Sequence, residues 1–158
     1  MPTTAAFVKV TTGTAIKTML QFKPLVPAKI VEWGISFDGS AAATPGQVEL
    51  MDSGTVAGTV TASANADLMK LDAAAQQFGD PTSTTISVGT TATGYTCTSE
   101  GSITAVRSFD IQLLPPTAPY VKQFPLGREP YLVASNLARI RVTFGTAINA
   151  YCYMVVEI

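Results

Sequence analysis

The chain is predicted to be all-β, an antiparallel sandwich or barrel, and three observations carry that expectation. Apolar residues alternate with small or polar ones along several stretches, the period of two that marks half-buried strands. Turn-forming pairs of Gly, Pro, Asp and Asn recur at about every ten residues, the spacing of short antiparallel strands. Only one stretch changes to the helical period.

Residues 28–40 form the clearest element. Val31, Trp33, Ile35 and Phe37 alternate with Glu32, Gly34, Ser36 and Asp38, so the chain's single Trp falls mid-strand on the apolar side. Asp38-Gly39 ends the strand, because both residues tolerate the positive φ of a tight turn. Ahead of it, residues 1–13 carry no core pattern and are expected to form an extended N-terminal arm, with 14–158 as one sandwich domain. Within the arm, 7–10 can also serve as a first strand. Residues 14–22 alternate weakly, and Pro24 and Pro27 stop that strand. Residues 47–51 and 55–62 read as two further strands, separated by the turn Asp52-Ser53-Gly54.

The helical stretch follows. Leu68, Leu71, Ala75 and Phe78 recur at spacings of three, four and three. Asn65 can cap it, Asp67 sits in its first turn and Gly79 follows its end, so one short helix is expected over 66–78, inside a long loop. Short strands are expected at 84–88 and 94–99. Residues 102–113 read as a second long strand with Ile103, Ala105, Phe109, Ile111 and Leu113 on one face, interrupted by Arg107. Pro115, Pro116, Pro119 and Pro125 mark an extended connection that cannot lie in a sheet centre. Residues 131–133 can pair briefly. Residues 139–144 alternate with Ile140, Val142 and Phe144 inward and Arg139, Arg141 and Thr143 outward, and 150–157 return as the last strand. The predicted core is Trp33, Ile35, Phe37, Phe109, Ile140, Val142 and Phe144.

Composition narrows the function. The hydrophobic fraction of 47% supports a core, whereas the charged fraction of 13% is low against a usual ~25%. The surface should therefore be Thr-rich and rather apolar, and such surfaces are often covered by partners. Net charge is −1 with no cluster of Lys or Arg, so nucleic-acid binding is not expected. No apolar run reaches the about 18 residues of a membrane span, and the start lacks the basic and apolar regions of a signal peptide, so synthesis and folding in a cytoplasm are expected. Cys97 and Cys152 lie far apart in strand-like segments and read as buried free thiols; a disulfide requires their strands to be neighbours.

The chemistry-bearing residues are few. Histidine is absent, which removes Ser-His-Asp and Cys-His arrangements and most zinc sites. No phosphate-binding glycine loop, dinucleotide fingerprint or calcium loop is present, so no cofactor and no metal are expected. Leu50-Met51-Asp52-Ser53-Gly54-Thr55 resembles the motif of aspartic proteases, in the single copy that the dimeric retroviral type carries. That chemistry needs two carboxylates sharing a proton, one from each chain. Leu126-Gly127-Arg128 faintly resembles the second motif of that family, and 89–94 can be read as a flap. The favoured reading of Asp52 is a turn residue whose side chain bonds the backbone two residues on. Trp33 could stack on a sugar, but its phase matches core residues. Glu32, Glu49, Asp38 and Asp110 show no spacing that pairs them as a glycosidase would. Arg139 and Arg141, with Arg128, are a candidate interface patch, and Phe7 and Val8 of the arm are candidate contacts.

The runs VEWGISFDGSAAATPGQVELM, GYTCTSEGSITAVRSFD and FPLGREPYLVASNLARIRVTFGTAINAYCYMVVEI are similar to small virion proteins of tailed bacteriophages, of the structural or capsid-decoration kind. The similarity covers most of the chain from about residue 14. The resemblance implies a jelly-roll-like β-sandwich bound outside a capsid, often as a trimer, and it implies no catalytic residues. The expectation is therefore a non-enzymatic virion protein on the capsid exterior, with the major capsid protein and further copies of itself as partners. The competing readings are a glycan- or host-binding virion module, which should expose its aromatic side chains, and an aspartic protease at Asp52-Ser53-Gly54.

Overall fold

A computed structural model describes the backbone of residues 2–40, 43–71 and 85–158, and their side chains except at 2–8, 65 and 70. In chain order the strands are β1 (Pro2–Thr11), β2 (Lys17–Phe22), β3 (Ala28–Phe37), β4 (Gly46–Asp52), β5 (Thr59–Ala62), β6 (Leu68–Lys70), β7 (Gly94–Ser99), β8 (Arg107–Leu114), β9 (Tyr120–Gln123), β10 (Tyr131–Leu132), β11 (Ala138–Thr143) and β12 (Asn149–Glu157). They build two six-stranded sheets. One runs β10-β3-β12-β1-β6, with β9 lying beside β10 along the same side of β3. The other runs β5-β7-β2-β11-β4-β8. Every named pairing is antiparallel. The expected all-β antiparallel sandwich is the fold.

The core lies between the sheets. Trp33, Ile30 and Ile35 from β3 and Met154 and Val156 from β12 meet Leu20 and Phe22 from β2, Val48 and Leu50 from β4, and Ile140 and Val142 from β11. All seven predicted core residues belong to it, with Phe37 and Phe109 half-buried at its margin. Phe37 meets Phe144 edge-on at 4.9 Å, and Trp33 lies 5.4 Å from the Tyr120 ring. Full burial of such side chains stabilises by about 1.5–3 kcal/mol each.

Bulges explain where alternation misleads. The register of β3 against β12 shifts between Val155 and Val156, and the extra residue on β3 is Val31. Phase therefore resets there: Ile30 is fully buried and Val31 only half-buried. A second shift, between Leu50 and Met51 on β4, leaves Phe109 as the extra residue of β8. Beyond it, Leu114 turns inward, while Ile111 and Leu113 are exposed rather than in the core as their spacing from Phe109 implies.

Three further expectations need correction. The segment read as an arm is β1, seated between β12 and β6, because β12 is long enough to pair with β3 on one side and β1 on the other. The strand expected over 102–113 begins only at Arg107, because its partner β4 ends at Asp52 and the chain turns away. The start of the expected helix is a single 3-10 turn, Asn65–Asp67, closed by the Asp67 carboxylate accepting from the Ala64 N–H at 2.7 Å, and it runs directly into β6. The rest of that helix falls at 72–78, outside the described residues.

Candidate functional site

The two sheets end on the same side of the sandwich, one in β8 and the other in β9 and β10. Side chains join them there. Tyr120 Oη donates to Asp110 Oδ2 at 2.7 Å, Gln112 Nε2 donates to Asp110 Oδ1 at 2.8 Å, and Arg107 Nη2 donates to the Tyr131 carbonyl. Tyr120 and Asp110 are adjacent because β9 presents Tyr120 opposite Ile35, on the core-facing side, directly across from β8. Burial, then the Asp110 hydrogen bond, pushes the Tyr120 hydroxyl up to about 12.

Around these joints lie most of the strongly exposed large apolar side chains among the described residues: Val106, Ile111, Leu113, Val121, Leu126, Tyr131 and Val133. Leu113 is 73% exposed and Leu126, at the tip of the loop between β9 and β10, is 96% exposed. Strands on a sheet margin also present unpaired backbone groups, which natural proteins ordinarily protect from association. Apolar side chains beside unpaired backbone are the opposite of such protection.

An open cleft of about 470 Å³ adjoins this side, between the turn after β4, residues 104–107 and the loop after β10. Asp52 forms one wall. Its Oδ1 accepts from the Gly54 N–H at 2.8 Å, the expected bond two residues on. Its Oδ2 accepts from Arg107 Nη2 and Asn136 Nδ2, each at 3.1 Å. Gly54 has φ +62°, which this turn requires. Ser53 Oγ donates to the Val56 carbonyl at 3.0 Å. The Asp52 and Ser53 side chains of the protease-like motif are thus engaged in shaping and bracing the turn.

The arginines named from sequence do not form one patch. Arg139 and Arg141 do point away from the sandwich core, as alternation implies, but residues 53–58 and 97–101 fold over that face. Arg139 is fully buried. Its Nη1 donates to the Glu100 carbonyl at 2.9 Å and to Glu100 Oε2 at 3.2 Å, and Nη2 donates to the Val56 carbonyl. Glu100 also accepts from the Thr18 N–H at 2.5 Å and Thr18 Oγ1 at 2.6 Å. Burial lowers the Arg139 pKa, opposed by the Glu100 charge. Arg141 pairs with Glu49 at 2.6 Å, with both side chains largely enclosed. Arg128 is exposed in the tight turn beside Leu126. Phe7 and Val8 sit in β1, with side chains outside the described residues.

Trp33 is fully buried, with no acceptor for its Nε1 among the described residues, so it is no sugar platform. The exposed aromatic surface lies elsewhere, on the outer face of β12. Tyr151 is 48% exposed. Tyr153 lies flat across Gly34, where a Cβ would meet its ring at 2.4 Å, and donates to Glu32 Oε1 at 2.5 Å. With Ser36, Pro119 and Val121 these tyrosines line a shallow cavity of about 220 Å³ that sequence reasoning missed. The Tyr-x-Tyr spacing of 151 and 153 was the available signal.

The four carboxylates weighed as a hydrolytic pair are separated and engaged: Glu32 with Tyr153, Glu49 with Arg141, Asp110 with Tyr120, and Asp38 with Lys9 at 2.7 Å. Cys97 in β7 and Cys152 in β12 belong to different sheets and are both free and buried. Burial pushes the Cys152 thiol up to about 12. No protein-family model, curated protein or solved structure matches the chain.

Proposed function

We propose that this chain is a non-enzymatic structural protein of a phage virion, bound to the outside of the capsid and bridging major capsid subunits as a homotrimer. The observation that carries the reading is the side of the sandwich at β8, β9 and β10, where apolar side chains as exposed as Leu113 and Leu126 flank unpaired strand margins. Strongly exposed apolar side chains beside unpaired strand margins mark a site of association. The similarity to small virion proteins named above supplies the partner, and the low charged fraction suits burial between subunits, whose interface centres are depleted of charge. Mechanistically, a copy bound across a joint adds contacts that must break before the shell opens, so the assembled state is stabilised by mass action.

The test is binding of the purified chain to capsid shells that lack it, for the native sequence and for Leu113→Glu with Ile111→Glu. Saturable binding that the double variant loses by tenfold or more supports the reading; a native chain that does not bind overturns it. Light scattering gives the trimer mass or contradicts it.

A second reading is a glycan-binding virion module, favoured by the Tyr151–Tyr153 ledge. Apolar faces of sugar rings stack on such side chains. Saccharide binding by titration calorimetry that Tyr151→Ala abolishes would establish it over the first.

A further inference from the structure

Residues 101–106 leave an unusual vacancy in the hydrogen-bond pattern. Ile103, Thr104 and Val106 favour the extended conformation, and 102–113 reads as a single strand, yet the chain provides a partner only from Arg107 onward. Among the described residues, none of 101–106 takes part in a backbone hydrogen bond, and all but Ile103 are exposed. Backbone groups without partners along a strand-prone stretch are a template for another strand.

The stretch also runs along the Asp52 cleft. Thr104, Ala105 and Val106 form one lip, and Val56 and Val133 add apolar wall. At its end stands Arg107, half exposed. Its Nη2 is used by Asp52 and the Tyr131 carbonyl, and its guanidinium lies 4.9 Å from the centre of the Phe109 ring. Among the described residues, none accepts from its Nε or Nη1. A guanidinium held through Nη2, with donors left on Nη1 and Nε, can give a peptide carboxylate one charge-assisted hydrogen bond.

We propose that residues 102–107 receive an extended peptide segment of a partner protein, which adds as a strand along 102–106, places an aliphatic side chain between Val56, Val106 and Val133, and sets an Asp or Glu carboxylate on Arg107. Main-chain bonds give such strand addition its affinity and the pocket and charge give it specificity. The inference rests on the partner-binding reading above and names the kind of segment the partner supplies.

The experiment uses the whole chain and two synthetic octapeptides of alternating Val and Thr, one with Glu at a central position and one with Gln there, followed by amide NMR. The expected result is that the amides of 102–107 shift and become protected from exchange, with the Glu peptide binding about tenfold tighter than the Gln peptide, the size of one charge-assisted contact. Thr104→Pro, at a residue with no hydrogen bond to lose, abolishes the response while circular dichroism stays unchanged. Arg107→Gln removes the cation that reads the peptide's Glu, and brings the two peptides to within about twofold. Absence of shifts at 102–107, equal binding of the two peptides to the native chain, or unchanged binding by Thr104→Pro each overturn the proposal, as does concentration-dependent broadening of these amides without peptide, which assigns the stretch to a second copy. No capsid enters this experiment, so its failure leaves capsid attachment standing, and failure of capsid attachment leaves this result standing.

Discussion

Tyr120 Oη donates to Asp110 Oδ2 at 2.7 Å, so one hydrogen bond ties the margin strand of one sheet to that of the other. Gln112 holds the second carboxylate oxygen, and the Tyr120 ring rests against Trp33. The bond thus couples the open side of the sandwich to the core. Removing it should loosen β8 and β9 before anything else.

That gives an alkaline signature. The folded Tyr120 hydroxyl is raised to about 12, above the about 10 of an unfolded tyrosine. A raised folded pKa means that the bond's contribution is complete below about pH 10 and is lost as pH rises through about 12. Tyr120→Phe should cost about 1 kcal/mol at neutral pH and flatten this alkaline loss. Thermal melts of the native chain and the variant across that window check it; parallel pH profiles would contradict the assignment.

Trp33 tests the core. Trp33→Ala should cost about 3–5 kcal/mol, through lost burial and the cavity left behind. Trp33→Phe should cost clearly less, because it also removes a buried N–H with no acceptor among the described residues. Urea unfolding of both variants gives the comparison. Equal costs would mean that the indole N–H is satisfied in solution.

Arg139 and Glu100 test the covered face of β11. Arg139→Met alone should cost about 3–5 kcal/mol, because Glu100 keeps its charge in a site built around the guanidinium. Adding Glu100→Gln should recover part of that loss, since the amide oxygen still accepts from Thr18 and no charge remains unpaired. A double variant no more stable than the single one would show that Arg139 acts by packing alone.

The parts of the fold legible in the sequence are those where alternation runs unbroken. β11 is one: Ile140 and Val142 are inward, as their spacing requires. β3 is legible from Trp33 onward, and the Asp52 turn is legible because Asx chemistry is local. Bulges defeat the same reasoning. An extra residue at Phe109 moves Ile111 and Leu113 from the core to the surface, and nothing within residues 107–114 announces it. Arg139 fails for another reason. Alternation states which face it takes, but not that residues 53–58 and 97–101 return from distant sequence to bury that face. β1 was legible only as an option at 7–10, because its place depends on β12, at the other end of the chain. The open side depends on two margin strands, β8 and β9, whose meeting no local pattern encodes.

Electron cryomicroscopy of the purified virion tests the central claim most directly. The account predicts density for this sandwich on the outside of the capsid, in groups of three, with β8, β9 and β10 turned toward a neighbouring subunit and residues Ile111, Leu113 and Leu126 buried in the contact. Density confined to the tail, a fibre or the shell interior, or a sandwich on the capsid with that side facing solvent, would contradict it.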